Sequence, residues 1–165
     1  MILGCGNSRK YNNEFLFNNF ISGFSEEMCS DGFKDIFNVD YSEKVIEMMK
    51  ERTKDTFPSL KWATMDFRNM SELEGSSFDV VLDKGSLDAL WSDGRSQWNP
   101  AESVLADINA SLNEALRLLK SGGKFISITF GQPHFRLPHM KRPNRWDLIS
   151  NENLGLYYIY TFQKC

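Results

Sequence analysis

Cysteine is scarce in this chain. Cys5, Cys29 and Cys165 are odd in number and far apart, and no Cys-x-x-Cys occurs. That spacing excludes a disulfide framework or a thiolate metal site and fits free thiols in a reducing cytosol. Long apolar runs are missing as well: none approaches the roughly 18 residues that a membrane crossing needs. Met1-Ile2-Leu3 is too short to form the apolar core of a signal peptide. There is no basic excess. The net charge is −3, which argues against a dedicated nucleic-acid binder. His134 and His139 have no ligand spacing with cysteines or acids, so no metal is expected. Asn69-Met-Ser71 and Asn109-Ala-Ser111 match the glycosylation sequon, and without a secretory signal both read as chance matches.

What is present is an ordinary globular composition, 41% hydrophobic and 25% charged over 165 residues. That length suits a single domain, residues 1–165, with a real core. Strand and helix patterns alternate, which predicts an α/β fold around a parallel sheet. Asp35 to Val39 reads as a short strand ending at Asp40. Ser42 has the character of an N-cap for a helix from Glu43 to about Lys54, whose Val45, Ile46 and Met49 share a face. Leu60 to Met65 and Phe78 to Leu82 are further strands, the second running into Asp83-Lys84-Gly85. After Pro100, Val104, Leu105, Ile108, Leu112, Ala115, Leu116 and Leu119 fit a long helix over Ser103 to Leu119, with Ser121-Gly122-Gly123 as its stop. Lys124 to Phe130 is a strong strand, and Trp146 to Ile149 and Leu156 to Phe162 read as two last strands around Asn151-Glu152-Asn153.

The chemistry lies where strands end. In an open parallel sheet, ligands bind at the carboxyl ends of the strands. There the chain offers Gly4 and Gly6 in Leu3-Gly4-Cys5-Gly6-Asn7-Ser8, then Asp40, then Asp66-Phe67, then Asp83-Lys84-Gly85. A Gly-x-Gly turn admits a ligand close to the backbone, and an acid ending the next strand accepts from two ribose hydroxyls. A second acid can accept from an exocyclic amino group such as that of adenine. The dinucleotide fingerprint wants a third glycine to seat a pyrophosphate at a helix N-terminus. Arg9 stands at that position, so a zwitterionic donor without phosphate, such as S-adenosylmethionine, suits the chain better.

Leu3 to Ser8, Val39-Asp40-Tyr41-Ser42, Met65-Asp66 and the block Phe78 to Ala89 resemble the S-adenosylmethionine-dependent methyltransferases with a Rossmann-like seven-strand sheet. Gln132-Pro-His-Phe-Arg136, followed by Arg142 and Trp146, narrows the resemblance to the eukaryotic protein lysine methyltransferases of translation elongation factor 1-alpha. It runs from Leu3 to Lys164, and the Asp-Lys-Gly-Ser-Leu-Asp-Ala block is its most specific part. The resemblance implies S-adenosylmethionine as cofactor and a lysine of elongation factor 1-alpha as substrate. It implies that Gly4 and Gly6 line the methionine part of the donor, Asp40 holds the ribose and Tyr41 packs on the adenine. Asp66 and Phe67 contact the adenine edge and face, and Lys84 closes the site beside Asp83, the candidate for a catalytic role. Trp91, Trp98, Phe130, His134 and Phe135 are candidates for an aromatic substrate entry. Asp88 is a second acid near the expected methyl position, and neither acid is assigned as a general base.

The chain departs from the family in two places. Only Met1 and Ile2 precede Leu3, so the first strand is expected to be truncated, whereas family members carry a longer segment there. Gly6 and Asp40 lie 34 positions apart, against a usual spacing of about 20. Lys10 to Gly23, rich in Asn and aromatics, therefore reads as an insertion ahead of the first helix. The expected protein is a cytoplasmic monomer with a protein substrate and neither nucleic acid nor membrane among its partners. Two other readings fit the same residues: an inactive, truncated member acting at most as a binding module, and a small-molecule methyltransferase.

Overall fold

The computed structural model describes residues 1–3, 23–92 and 97–165. Gly4, Gly6 and all but the last residue of the expected insertion 10–23 lie outside them. Two compact units emerge, Met1–Asp66 and Phe67–Cys165.

The first unit is a parallel α/β layer. Its strands are β1 (Ile2–Leu3), β2 (Phe37–Asp40) and β3 (Lys61–Thr64), in the order β3-β2-β1. As expected, β1 is short, two buried residues paired with Asn38 and Val39. Helix α1 is Phe24–Ser30 and α2 is Glu43–Thr53. The predicted cap is present: Ser42 is extended, and its side chain accepts the Val45 N–H at 3.4 Å. Ile46 and Met49 then turn inward beside Ile36, Val39, Leu60 and Trp62, all buried. Asn38, fully buried, has both ends of its amide satisfied. It accepts from Ser25 Oγ at 2.6 Å and donates to the Lys61 carbonyl at 3.2 Å.

The second unit contains β4 (Phe78–Lys84), α3 (Ser86–Ser92), α4 (Glu102–Leu118), β5 (Leu119–Thr129), α5 (Pro133–Met140), β6 (Trp146–Asn153) and β7 (Tyr158–Lys164). The strand order is β4-β5-β7-β6, with β4 and β5 parallel and the rest antiparallel. Helix α4 buries Val104, Ile108, Leu112, Ala115 and Leu116, the apolar stripe its periodicity predicts. On the β5-β7-β6 sheet, Phe125 and Phe162 each lie 5.1 Å from the Trp146 ring, in stacked arrangements.

Two expectations need correction. Ser121-Gly122-Gly123 does not stop α4, which ends at Leu118 and passes straight into β5. Instead the glycines make a bulge: Phe78 pairs with Leu119, but Val80 pairs with Lys124. Gly122 has φ +75°, and a Cβ on Gly123 would come within 3.0 Å of the Asp79 carbonyl. The hairpin turn is not at Asn151–Asn153, which pair within β6, but at Leu154–Tyr157, where Gly155 has φ +80°. Two helices, α3 and α5, occupy stretches to which the sequence pattern assigned no element. Helix α5 opens on Pro133 at its first turn and contains Pro138, which makes its pattern look non-helical.

Candidate functional site

In the first unit, β2 delivers Asp40 to its carboxyl end, where it is 5% exposed. Its Oδ1 accepts the Ser42 N–H at 2.9 Å, and its carbonyl accepts the Met65 N–H at 2.9 Å. The carboxylate is thus oriented by its own loop, and the backbone beneath it is tied to the residue that follows β3. Tyr41, next along, is 79% exposed. Asp66 follows the end of β3 by two residues and is exposed. An oriented carboxylate, an exposed ring and a second acid on two strand exits form the donor-and-acceptor set that a nucleoside requires.

In the second unit, Asp83 has a different setting. It is 0% exposed, and its carboxylate accepts from Ser86 N–H at 3.0 Å, Leu87 N–H at 3.1 Å and Ser127 Oγ at 2.8 Å. Burial pushes its pKa up to about 6, although those hydrogen bonds pull the other way and Asp88 adds to the rise. Gly85, at φ +78°, makes the turn from β4 into α3, and its N–H reaches the Ile128 carbonyl at 3.1 Å. Lys84, half-buried, leads into that turn, and Phe67, also half-buried, begins the unit.

A methyltransferase domain model matches residues 3–156. The chain belongs to the methyltransferase domain family. Two curated relatives are each named EEF1A lysine methyltransferase 4. The mouse protein (Mus musculus) is 38% identical over 89% of this chain and 51% of its own length. The bovine one (Bos taurus) is 36% identical over 99% of this chain and 59% of its own length. The chain therefore spans between half and three-fifths of the length of these two relatives. Among solved structures, PH0226 protein from Pyrococcus horikoshii OT3 aligns with TM-score 0.70 at 17% identity, over 99% of this chain and 82% of that one. At that identity it speaks for the fold alone, the Rossmann-like α/β arrangement the motifs imply.

Within the domain, the aromatic candidates separate. Trp91 is not at an entry: it is 4% exposed, edge-on to His139 at 5.1 Å, with the Arg136 guanidinium 4.6 Å from its ring centre. Burial, with Arg136 and Arg142 nearby, holds the His139 pKa below the usual imidazole range. Trp98, by contrast, is 81% exposed and meets Phe135 at 4.8 Å and His134 at 5.7 Å. Phe130, 52% exposed, lies 4.6 Å from the Tyr157 ring.

Asp88 is engaged in an ion pair that the sequence reading missed. Its Oδ1 accepts from Arg136 Nη2 at 2.9 Å and from Thr129 Oγ1 at 2.6 Å, and its Oδ2 accepts the Phe130 N–H at 3.0 Å. In the sequence Arg136 belongs to the family-like Gln132–Arg136 segment, and an arginine between Phe135 and Leu137 in a stretch with two prolines is too weak a signal to pair it with Asp88. Among the described residues, no group of three or more His, Cys, Asp or Glu could hold a metal ion. Nor is any helix there long and apolar enough to cross a membrane.

Proposed function

We propose that this chain is an S-adenosylmethionine-dependent protein-lysine N-methyltransferase whose substrate is translation elongation factor 1-alpha. The observation that carries the reading is the 38% identity, over 89% of the chain, to a protein named for that activity. The strand-end acids support the donor. Asp40 accepts from the ribose hydroxyls, Tyr41 covers the adenine, Asp66 accepts at the adenine edge and Phe67 packs on its face. Gly4 and Gly6 line the methionine part, and Lys84 borders the site. When bound, the donor supplies a sulfonium-activated methyl group.

The residues then have two tasks, alignment and control of a proton. A lysine amine has a pKa of about 10.4 in water and attacks only when neutral. An apolar, aromatic approach disfavours the ammonium form, while ring faces hold the cation as it arrives. Phe130 and the Trp98 cluster suit that approach. Asp83 acts through the turn that carries Lys84, since its oxygens accept from that turn and from Ser127. The expected setting, a cytoplasmic monomer with no nucleic acid or membrane partner, is part of the same proposal, and the net charge of −3 supports the absence of a nucleic-acid partner.

Two measurements test the reading. Isothermal titration with S-adenosylmethionine should give saturable heat. Labelled methyl groups should pass to purified elongation factor 1-alpha and be lost when its lysines are blocked. No heat at high protein concentration would remove the enzyme reading. Transfer to small metabolites and not to the factor would favour the small-molecule alternative.

A further inference from the structure

A buried ion pair is a poor stability device unless every donor is satisfied. The pair between Asp88 and Arg136 does not meet that condition. Arg136 is 4% exposed, and its Nη1 is buried with no hydrogen-bond partner among the described residues. An unmade buried hydrogen bond costs about 1–3 kcal/mol. What the pair does hold is the chain just past the carboxyl end of β5. Asp88 Oδ2 takes the Phe130 N–H, and Asp88 Oδ1 takes the Thr129 hydroxyl. Thr129 Oγ1 in turn accepts the Gly131 N–H at 2.9 Å, and buried Tyr160 donates its hydroxyl to the Gly131 carbonyl at 2.7 Å. A Cβ on Gly131 would run into the Arg136 guanidinium, so the side chain lies flat against that backbone.

Side chains thus pin three successive residues, Thr129, Phe130 and Gly131, yet the Phe130 ring stays 52% exposed against Tyr157. A fixed backbone beneath an exposed aromatic ring presents that ring and adds little to a core. We infer that Asp88 and Arg136 are positioning residues that hold Phe130 as the aromatic face met by the substrate's amine-bearing side chain. The inference rests on the lysine methyltransferase reading, which it deepens.

The test uses the full chain with Asp88→Ala, Asp88→Asn, Phe130→Ala and the double variant Asp88→Ala/Phe130→Ala. In Asp88→Ala, NMR hydrogen exchange at the Phe130 and Gly131 amides should quicken by about tenfold or more, while Phe125 to Ile128 keep their rates. The kcat/KM for elongation factor should fall about tenfold, with the donor Kd moving less than about twofold. Phe130→Ala should cost a similar factor, and the double variant should lose little beyond either single change. If Asp88→Ala melts, Asp88→Asn carries the same readouts at smaller size. Unchanged exchange at Phe130 and Gly131 overturns the positioning role, whatever the substrate. Losses that multiply in the double variant overturn the link to Phe130. A wild-type chain that transfers no methyl group to the factor overturns the substrate contact together with the reading beneath it, while the exchange rates still decide the positioning role.

Discussion

Asp40 and Asp83 both stand buried at strand ends that run into helices, yet their neighbours differ. Asp40 borders an exposed ring at Tyr41 and precedes the capped start of α2. Asp83 is sealed at 0% exposure with two backbone amides and one hydroxyl directed at it. Both carboxylates are buried, so what differs is the donors each one faces: Asp40 takes the Ser42 N–H of its own loop, whereas Asp83 takes two amides and the hydroxyl of Ser127, 44 residues away. A carboxylate bonded to a distant strand holds structure, whereas the one bonded to its own loop beside an exposed ring is the one proposed to serve a ligand.

The largest effect should come from removing the anchor. Asp83→Ala leaves three buried donors without an acceptor and should lose ~3–5 kcal/mol of stability in urea unfolding. Asp40→Ala, which frees the Ser42 N–H of its own loop, should lose no more than ~1 kcal/mol. Equal losses would break the comparison. The second effect is on binding. Asp40→Ala should weaken S-adenosylmethionine by about 100-fold in a titration, since charge-assisted bonds to the ribose vanish. Unaltered binding would show that Asp40 does not face the donor.

A third effect sharpens the contrast through pH. The folded pKa of Asp83, about 6, lies above its ordinary value, so the folded state holds the proton more tightly. Its contribution to stability is therefore complete below about pH 4 and is lost as pH rises toward 6. Relative to Asp83→Asn, which cannot titrate, the wild type should lose ~1–3 kcal/mol across that window. A constant difference between the two unfolding curves would refute the raised pKa. The smallest effect belongs to an acid at no strand end. Glu51 pairs with Lys54 at 2.6 Å on the exposed face of α2, and Glu51→Gln should shift stability by no more than ~0.5 kcal/mol.

Much of the fold was legible in the chain because its long elements carry strong periodicity. The stripe of α4 from Val104 to Leu116 and the Ser42 cap are local signals that tertiary contacts reinforce. The misreadings fall where a non-local partner overrides a local preference. Asn151 and Glu152 favour a turn, but pairing with Tyr160 and Ile159 keeps them in β6. Gly122 and Gly123 signal a helix stop, but the approach of the Asp79 backbone makes them a strand bulge. In α5, Pro138 hides a helix that Arg136 and Met140 anchor from one face. At the candidate site, the strand-end acids could be read from position alone. The partners of Asp83 and Asp88 could not, because Ser127 and Arg136 lie 44 and 48 residues away in sequence.

By itself, then, the sequence determined the family: glycines and acids spaced along alternating strands and helices, and the specific block from Asp83 to Ala89. Those signals are local, and local chemistry repeats wherever the same fold must meet the same ligand. Only the tertiary structure decided that Asp83 is an anchor bonded to Ser127, and that Trp91 is core while Phe130 and Trp98 present their rings. Burial and hydrogen-bond partnership arise from residues distant in the chain, so no window of sequence contains them.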